Sequence, residues 1–282
     1  MKKSTIAALV AVTAIASPMQ AQSVTILEED FAGTLSDSVS GTPFTPGGRL
    51  INTISPDTGS GSWTTLAAAS HAPQTYFGGG RLFIDVADPE AGAAGNFARG
   101  TFTSNLSAGD IVTISGTAGG LTGAGGSAKG IYIGFLSSSS TSPIPQNSGG
   151  ASPGVYFRDD GTSVLYQGTG TNILLDTFTT PTSEFTYDLI WDTGASTIAL
   201  SVNGTEVIAA TSFTPFFEAT TIDSIGIGFR SLSYDNYDST ELGSGAYHKG
   251  ITVSVIPEPS SFALLAGSLA MASVMIRRRK QI

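Results

Sequence analysis

Between Val24 and Val255 apolar and polar residues alternate in short runs, and little of the chain carries the 3.6-residue period of a helix. In "RLFIDV", Leu82, Ile84 and Val86 alternate with Arg81, Phe83 and Asp85. Runs of the same kind are "DIVTISG", "GIYIGFL", "GVYFRDD", "TSVLYQG", "FTYDLIWD", "STIALSV", "TEVIAAT", "DSIGIGF" and "GITVSV". They are rich in Ile, Val, Thr and aromatics and are parted by Gly, Asp, Asn and Pro, which predicts about a dozen strands. Sequence repeats of solenoid or propeller length are not evident. The pattern therefore predicts an all-β domain over residues 22–256, a two-sheet antiparallel jelly-roll sandwich.

The sharpest local geometry lies in "STIALSVNGTEVIAA", where two alternating runs flank Asn203-Gly204. That pair suits a type I′ hairpin turn, which needs φ > 0 at both central residues. A three-strand meander follows, over Phe185 to Asp192, Ser196 to Val202 and Thr205 to Ala209.

The two ends follow a different pattern. Residues 1–21 have a basic start, an apolar run from Ile6 to Ala16 and a small-residue exit, the layout of a secretory signal peptide. Cleavage after Ala21 fits best, with Ala16 as the alternative. Residues 257–282 open on Pro257-Glu258-Pro259, continue with an apolar stretch over about 261–276, and end on Arg277, Arg278, Arg279 and Lys280. The run from Phe262 to Ile276 is about 22 Å long as a helix and only just spans a membrane with help from Ser260, Ser261 and Arg277. The basic cluster resists translocation and stays cytoplasmic. Each proline removes a backbone donor, fixes its own φ and holds its predecessor extended, so the triplet is a stiff, exposed spacer.

Charge adds an asymmetry. Six of the 13 basic residues lie in the termini, but only one of the 22 acids, Glu258, does. The body keeps seven bases against 21 acids, a formal charge of −14. Such a surface repels nucleic acid and anionic lipid, and leaves neutral glycans, or acidic ones bridged by cations, as the polymers it can approach. There are no cysteines, so the fold rests on its core without disulfides, and thiol chemistry is excluded. His71 and His248 read as surface or half-buried residues, because metal and catalytic clusters need company.

The tail resembles the PEP-CTERM sorting signal of Gram-negative bacteria that make exopolysaccharide. The resemblance is carried by Pro257-Glu258-Pro259, by Phe262 to Ile276 and by Arg277 to Lys280, together with the N-terminal signal peptide. It implies two processing partners, a signal peptidase and an exosortase (a membrane cysteine protease), with transit through or anchoring in the membrane. It also implies an exported protein of the cell envelope, cell surface or extracellular matrix, associated with exopolysaccharide or biofilm. The meander resembles the laminin-G-like, concanavalin-A-like sandwiches in Tyr187-Asp188-Leu189, the Asp192 to Gly194 turn, Thr197 to Val202 and Asn203-Gly204. "EEDFAGT" fits how such domains open, and "GITVSV" is then expected to return beside the first strand. Lectins, glycosidases, lyases and structural modules all use that architecture, so it names no ligand.

Motifs for chemistry are sparse. Glycosidases of this architecture place paired carboxylates on one strand, as in Glu-x-Asp-x-x-Glu, and no such pattern occurs. Glu28-Glu29-Asp30 are adjacent, would point to opposite faces and read as a solvated strand end; Asp159-Asp160-Gly161 reads as a hairpin turn. "GAGGSA" (Gly123 to Ala128) precedes a strand, where a dinucleotide needs a helix, and reads as a loop. "SYDNYDSTE" offers Asp235, Asn236, Asp238 and Glu241 as oxygen ligands, but lacks calcium-loop spacing and reads as a surface loop. Trp63, Tyr234 and Tyr237 are the candidate sugar platforms, and Trp191 on its apolar strand reads as core. No catalytic residue, metal or cofactor is expected. The leading expectation is a non-enzymatic exported surface protein; the alternatives are a carbohydrate-binding module and, behind it, a glycoside hydrolase or polysaccharide lyase.

Overall fold

A computed structural model of the 282-residue chain describes residues 22–31, 49–50, 55–67, 74–78, 80–85, 96–123, 130–140, 152–168, 174–230 and 246–258. They form sixteen strands: β1 (Val24–Glu29), β2 (Arg49–Leu50), β3 (Ser60–Ala67), β4 (Gln74–Gly78), β5 (Arg81–Asp85), β6 (Asn96–Thr101), β7 (Ile111–Gly119) and β8 (Gly130–Ser137). The others are β9 (Gly154–Arg158), β10 (Thr162–Tyr166), β11 (Leu174–Thr179), β12 (Phe185–Asp192), β13 (Thr197–Val202), β14 (Thr205–Ser212), β15 (Ile222–Arg230) and β16 (Tyr247–Ile256). The one helical piece among the described residues is a 3-10 turn at Ala219–Thr221. The all-β, two-sheet antiparallel expectation therefore holds for the body. The signal peptide, and the tail from Pro259 on, lie outside the described residues, and no helix among those described is long and apolar enough to cross a membrane.

The sheets stack face to face. One has nine strands in the order β14-β13-β12-β7-β16-β5-β4-β2, with β1 added beside β16. The other has seven, in the order β11-β10-β9-β8-β15-β6-β3. Strand β16 pairs with β7 along its full length. Its opposite edge is shared: His248 faces Leu82 of β5, and Ile251 to Val255 face β1. The closing strand thus returns beside the first, as the resemblance implied.

Alternation sets which side chains go inward. In β12 Phe185, Tyr187, Leu189 and Trp191 are buried while Thr186 is exposed and Asp188, Ile190 and Asp192 are half-buried. Asn203 and Gly204 have φ of 51° and 71°, so the hairpin between β13 and β14 is the type I′ turn the sequence predicts. In β16 the register slips between Lys249 and Ile251 at Gly250, whose φ is 48°. This bulge holds His248 and Ile251 inward on either side of it, and the left-handed backbone requires glycine there.

The core fills the space between the sheets with large side chains. Trp63, Trp191, Phe135, Phe157, Phe185 and Tyr187 are all fully buried. Trp191 packs edge-on to Phe135 at 5.2 Å between centroids, and Phe157 packs on Phe185 at 4.9 Å. A smaller cluster lies on the other face of the seven-stranded sheet, where Tyr132 and its cross-strand partner Tyr156 stack at 3.8 Å beside Val164 and Tyr166. Arg99 joins three strands of that sheet, donating from Nε to Ser224 Oγ at 3.0 Å and from Nη2 to the Ser137 carbonyl.

Trp63 fits only because the strand next to it lacks a side chain at one place. A methyl group on Gly100 of β6 would lie 2.8 Å from Trp63 Cη2. Gly100→Ala should therefore destabilise the domain by about 1–3 kcal/mol through overpacking, read as a lower urea midpoint with unchanged m.

Candidate functional site

The sequence-predicted site residues separate into three groups. Ala21, Pro259, Arg277, Arg278, Arg279, Tyr234 and Tyr237 lie outside the described residues, as do His71 and the cluster from Ser233 to Glu241. Pro257 and Glu258 are exposed, just past the end of β16. Trp63 is a correction: it is fully buried and its indole Nε1 donates to Glu29 Oε2 at 3.1 Å. A ring enclosed between two sheets presents no face to a sugar, so Trp63 belongs to the core. Trp191 is buried as expected.

Glu29 departs from the reading of a solvated strand end. Glu28 is exposed, but Glu29 is only 4% exposed and points into the sandwich. Its Oε1 accepts from the Phe31 amide at 2.9 Å, while Oε2 takes the Trp63 indole. Burial pushes its carboxyl above the usual carboxylate range, partly opposed by those two donors. Phe31 sits at φ 53°, unusual for a non-glycine residue, and is fixed there by Glu29, by Gly80 N donating to its carbonyl at 3.0 Å, and by ring contact with Trp63. "EEDF" is thus a structural clasp that ties β1 to β3. Asp30 and Asp57 approach the same carboxylate, with one oxygen from each of the three within 4.8 Å of the others. That trio is where hard-cation ligands come closest among the described residues, although both Glu29 oxygens already accept N–H donors.

His248 is the second correction. It is neither surface nor half-buried but fully buried, with Nε2 2.5 Å from the Tyr187 hydroxyl; its Nδ1 has no partner among the described residues. Gly116 of β7 makes room for the pair, since a methyl group there would fall 2.6 Å from both His248 Cε1 and Tyr187 Oη. Burial pushes the imidazole down to about 3, so the ring is neutral at ordinary pH.

Above this layer, on the solvent face of the nine-stranded sheet, runs an open trough of about 400 Å³. Register builds it. Glu28 faces Thr252, Thr252 faces Ser115, and Ser115 faces Asp188, so four adjacent strands place four polar side chains in one row. Ser115 Oγ donates to Asp188 Oδ1 at 2.6 Å. Thr117, Thr186 and Lys249 make the next row. Lys249 is held by Glu184 Oε2 at 2.5 Å, which also accepts the Tyr247 hydroxyl at 2.7 Å; these donors keep the Glu184 carboxyl below its usual range. Its polar groups are hydroxyls, carboxylates and one ammonium, set among apolar surface that includes Gly116, Gly250 and Ile251, a mixture that can meet both the hydroxyls and the C–H faces of a polyol. No short stretch of sequence signals it, because its members come from four separate strands, none carrying a motif.

No known protein family and no curated protein matches the chain. Among solved structures, an endo-1,3-β-glucanase from Streptomyces sioyaensis is similar at 16% identity over 83% of this chain and 96% of its own, with a TM-score of 0.50. Lectin II from Ulex europaeus aligns at 9% identity over 69% of this chain and 93% of its own, TM-score 0.45. A Bacillus subtilis protein with a galectin-like fold aligns at 14% over 69% and 90%, TM-score 0.45. The likeness is one of fold: the body is a two-sheet sandwich of the kind that the glucanase also uses.

The buried imidazole couples folding to pH. Its folded-state value near 3 lies below the unfolded 6.5, so the unfolded chain binds the extra proton between those values. His248 thus contributes stability that is present above pH 6.5 and lost as pH falls towards 3. Urea titrations should show this as a loss of several kcal/mol on acidification, and His248→Gln, which keeps a hydrogen-bonding partner for Tyr187, should flatten that slope.

Proposed function

We propose that this is an exported, non-enzymatic β-sandwich protein of the cell surface or extracellular matrix. In this reading residues 1–21 direct export and are removed by signal peptidase, residues 261–276 hold the chain in the membrane, and an exosortase removes the tail at the Pro257-Glu258-Pro259 triplet. Exopolysaccharide is the surrounding medium. The observation that supports it is the position of the last strand. β16 ends at Ile256, the residue before Pro257, and Pro257 and Glu258 are exposed beyond the sheet. Everything from Pro257 on can be cut away without loss of a strand or a core residue of the described sandwich. Two prolines at that boundary also prevent the tail from being drawn into the sheet.

A second reading, a carbohydrate-binding module, is favoured by the polar trough. With Trp63 in the core, the trough from Glu28 to Asp188 replaces it as the described surface suited to a saccharide. A neutral polysaccharide is the class that fits, because the body's formal charge of −14 repels acidic ones.

Two measurements test these readings. With one epitope after Ser23 and another at the C-terminus, the surface protein should carry the first and lack the second when exosortase is present. A C-terminal epitope that persists on surface protein overturns the sorting claim. In affinity electrophoresis on neutral glucans, Asp188→Ala should weaken retention by about tenfold, a loss of about 1.4 kcal/mol. Failure of the unaltered protein to be retained on any neutral polysaccharide would remove the binding reading.

A further inference from the structure

The solvent face of the nine-stranded sheet carries a row of oxygen-bearing side chains that crosses six strands. Glu28 of β1, Thr252 of β16, Ser115 of β7 and Asp188 of β12 form its first part, and the register carries it on through Ser201 of β13 to Glu206 of β14. The rows beside it are interrupted. On one side Ser254 and Thr113 give way to Ile190 and Ala199. On the other, Lys249 has its ammonium held by Glu184. The trough follows the same direction. It spans four strands, about 14 Å between the outermost pair, but two rows along them, about 7 Å. That width admits one sugar chain and not two side by side.

Most of the row's hydrogen-bonding capacity is left for a ligand. Within it the one hydrogen bond among the described residues runs from Ser115 Oγ to Asp188 Oδ1 at 2.6 Å. Glu28 and Glu206 are exposed. Their carboxylates, Asp188 Oδ2 and the hydroxyls of Thr252 and Ser201 have no side-chain partner among the described residues. The bond from Ser115 fixes the Asp188 carboxylate and leaves its second oxygen to accept. The groups at both ends of the trough are therefore acceptors, and the hydroxyls of a sugar supply donors. Three acids in one row repel uronates and sulfated sugars, so the chain that fits is neutral.

Spacing selects the linkage. Positions in the row repeat at the strand separation, about 4.8 Å. A β-1,4-linked glycan is kept straight by its equatorial bonds and advances by nearly that distance per sugar. An α-1,4-linked chain coils and leaves the row. We infer that the trough holds an extended, β-1,4-linked neutral glycan laid across the strands, with successive sugars over β1, β16, β7 and β12 and longer chains reaching Glu206. The inference rests on the carbohydrate-binding reading above. It adds the linkage, the direction of the chain and two further contacts, Glu28 and Glu206.

The test is isothermal titration of the full chain with cellobiose, cellotetraose, cellohexaose and maltotetraose. Affinity should rise about tenfold from cellobiose to cellotetraose, and maltotetraose should bind about tenfold more weakly than cellotetraose. Glu28→Ala should weaken cellotetraose about tenfold, and Glu206→Ala should weaken cellohexaose about tenfold, as expected when a hydrogen bond to a charged group is lost. Thr113→Ala and Ser254→Ala, in the next row, should bind as the unaltered chain does; a melting curve checks that each variant folds. Equal affinity for cellobiose and cellotetraose overturns the inference, as does maltotetraose bound as tightly as cellotetraose. So does weakening by Thr113→Ala in place of Glu28→Ala, which would lay the chain along β7. If neutral glucans retain the protein but no cello-oligosaccharide binds, this inference fails and the carbohydrate-binding reading stands. If no neutral polysaccharide retains it, both fail.

Discussion

Strand β16 hydrogen-bonds to β7 along one edge and divides the other between β5 and β1, so the last strand joins three separate parts of the chain. A body without cysteines and with almost no helix among its described residues depends on such ladders, because each strand must find partners for its backbone groups elsewhere in sequence. The bulge at Gly250 makes the arrangement work. Without the extra residue, one half of β16 would present its apolar side chains to solvent; with it, His248, Ile251, Val253 and Val255 are all buried.

That constraint explains the polar features as well. Gly116 on β7 is the opening into which His248 and Tyr187 fit, and the bulge beside it sets the rows of Lys249 and Thr252. The buried imidazole and the solvent-facing trough are two faces of one irregularity in the central ladder. Glu29, from the neighbouring strand, ties the same region to Trp63 across the sandwich.

Local features were legible in the sequence where the physics is local. Asn203-Gly204 determines its turn by backbone sterics, and the alternation of β12 determines its inward face. Asp159-Asp160-Gly161 does form the turn between β9 and β10, although Asp159 is also buried and holds Thr122 Oγ1 at 3.0 Å and Gly123 N at 3.2 Å. What the sequence hid depends on distant partners. Glu29 looks solvated until Trp63, 34 residues away, closes over it. Trp63 looks like an available ring until Gly100 admits it to the core. His248 seems isolated until β12 brings Tyr187 beside it. The trough needs four strands in register, a relation that no short motif encodes.

The pairing of Val24 with Val255 means that both ends of the sandwich emerge at one corner. Force applied between those ends would not shear the β1–β16 ladder as a whole. It would open the hydrogen bonds in succession from Val24 towards Glu29, like a zipper, and reach the Glu29–Trp63 clasp last. Load carried at the Val255 end has no such weak line within the sheet, since β16 lies between neighbours on both edges, whereas β1 has β16 as its one strand partner among the described residues.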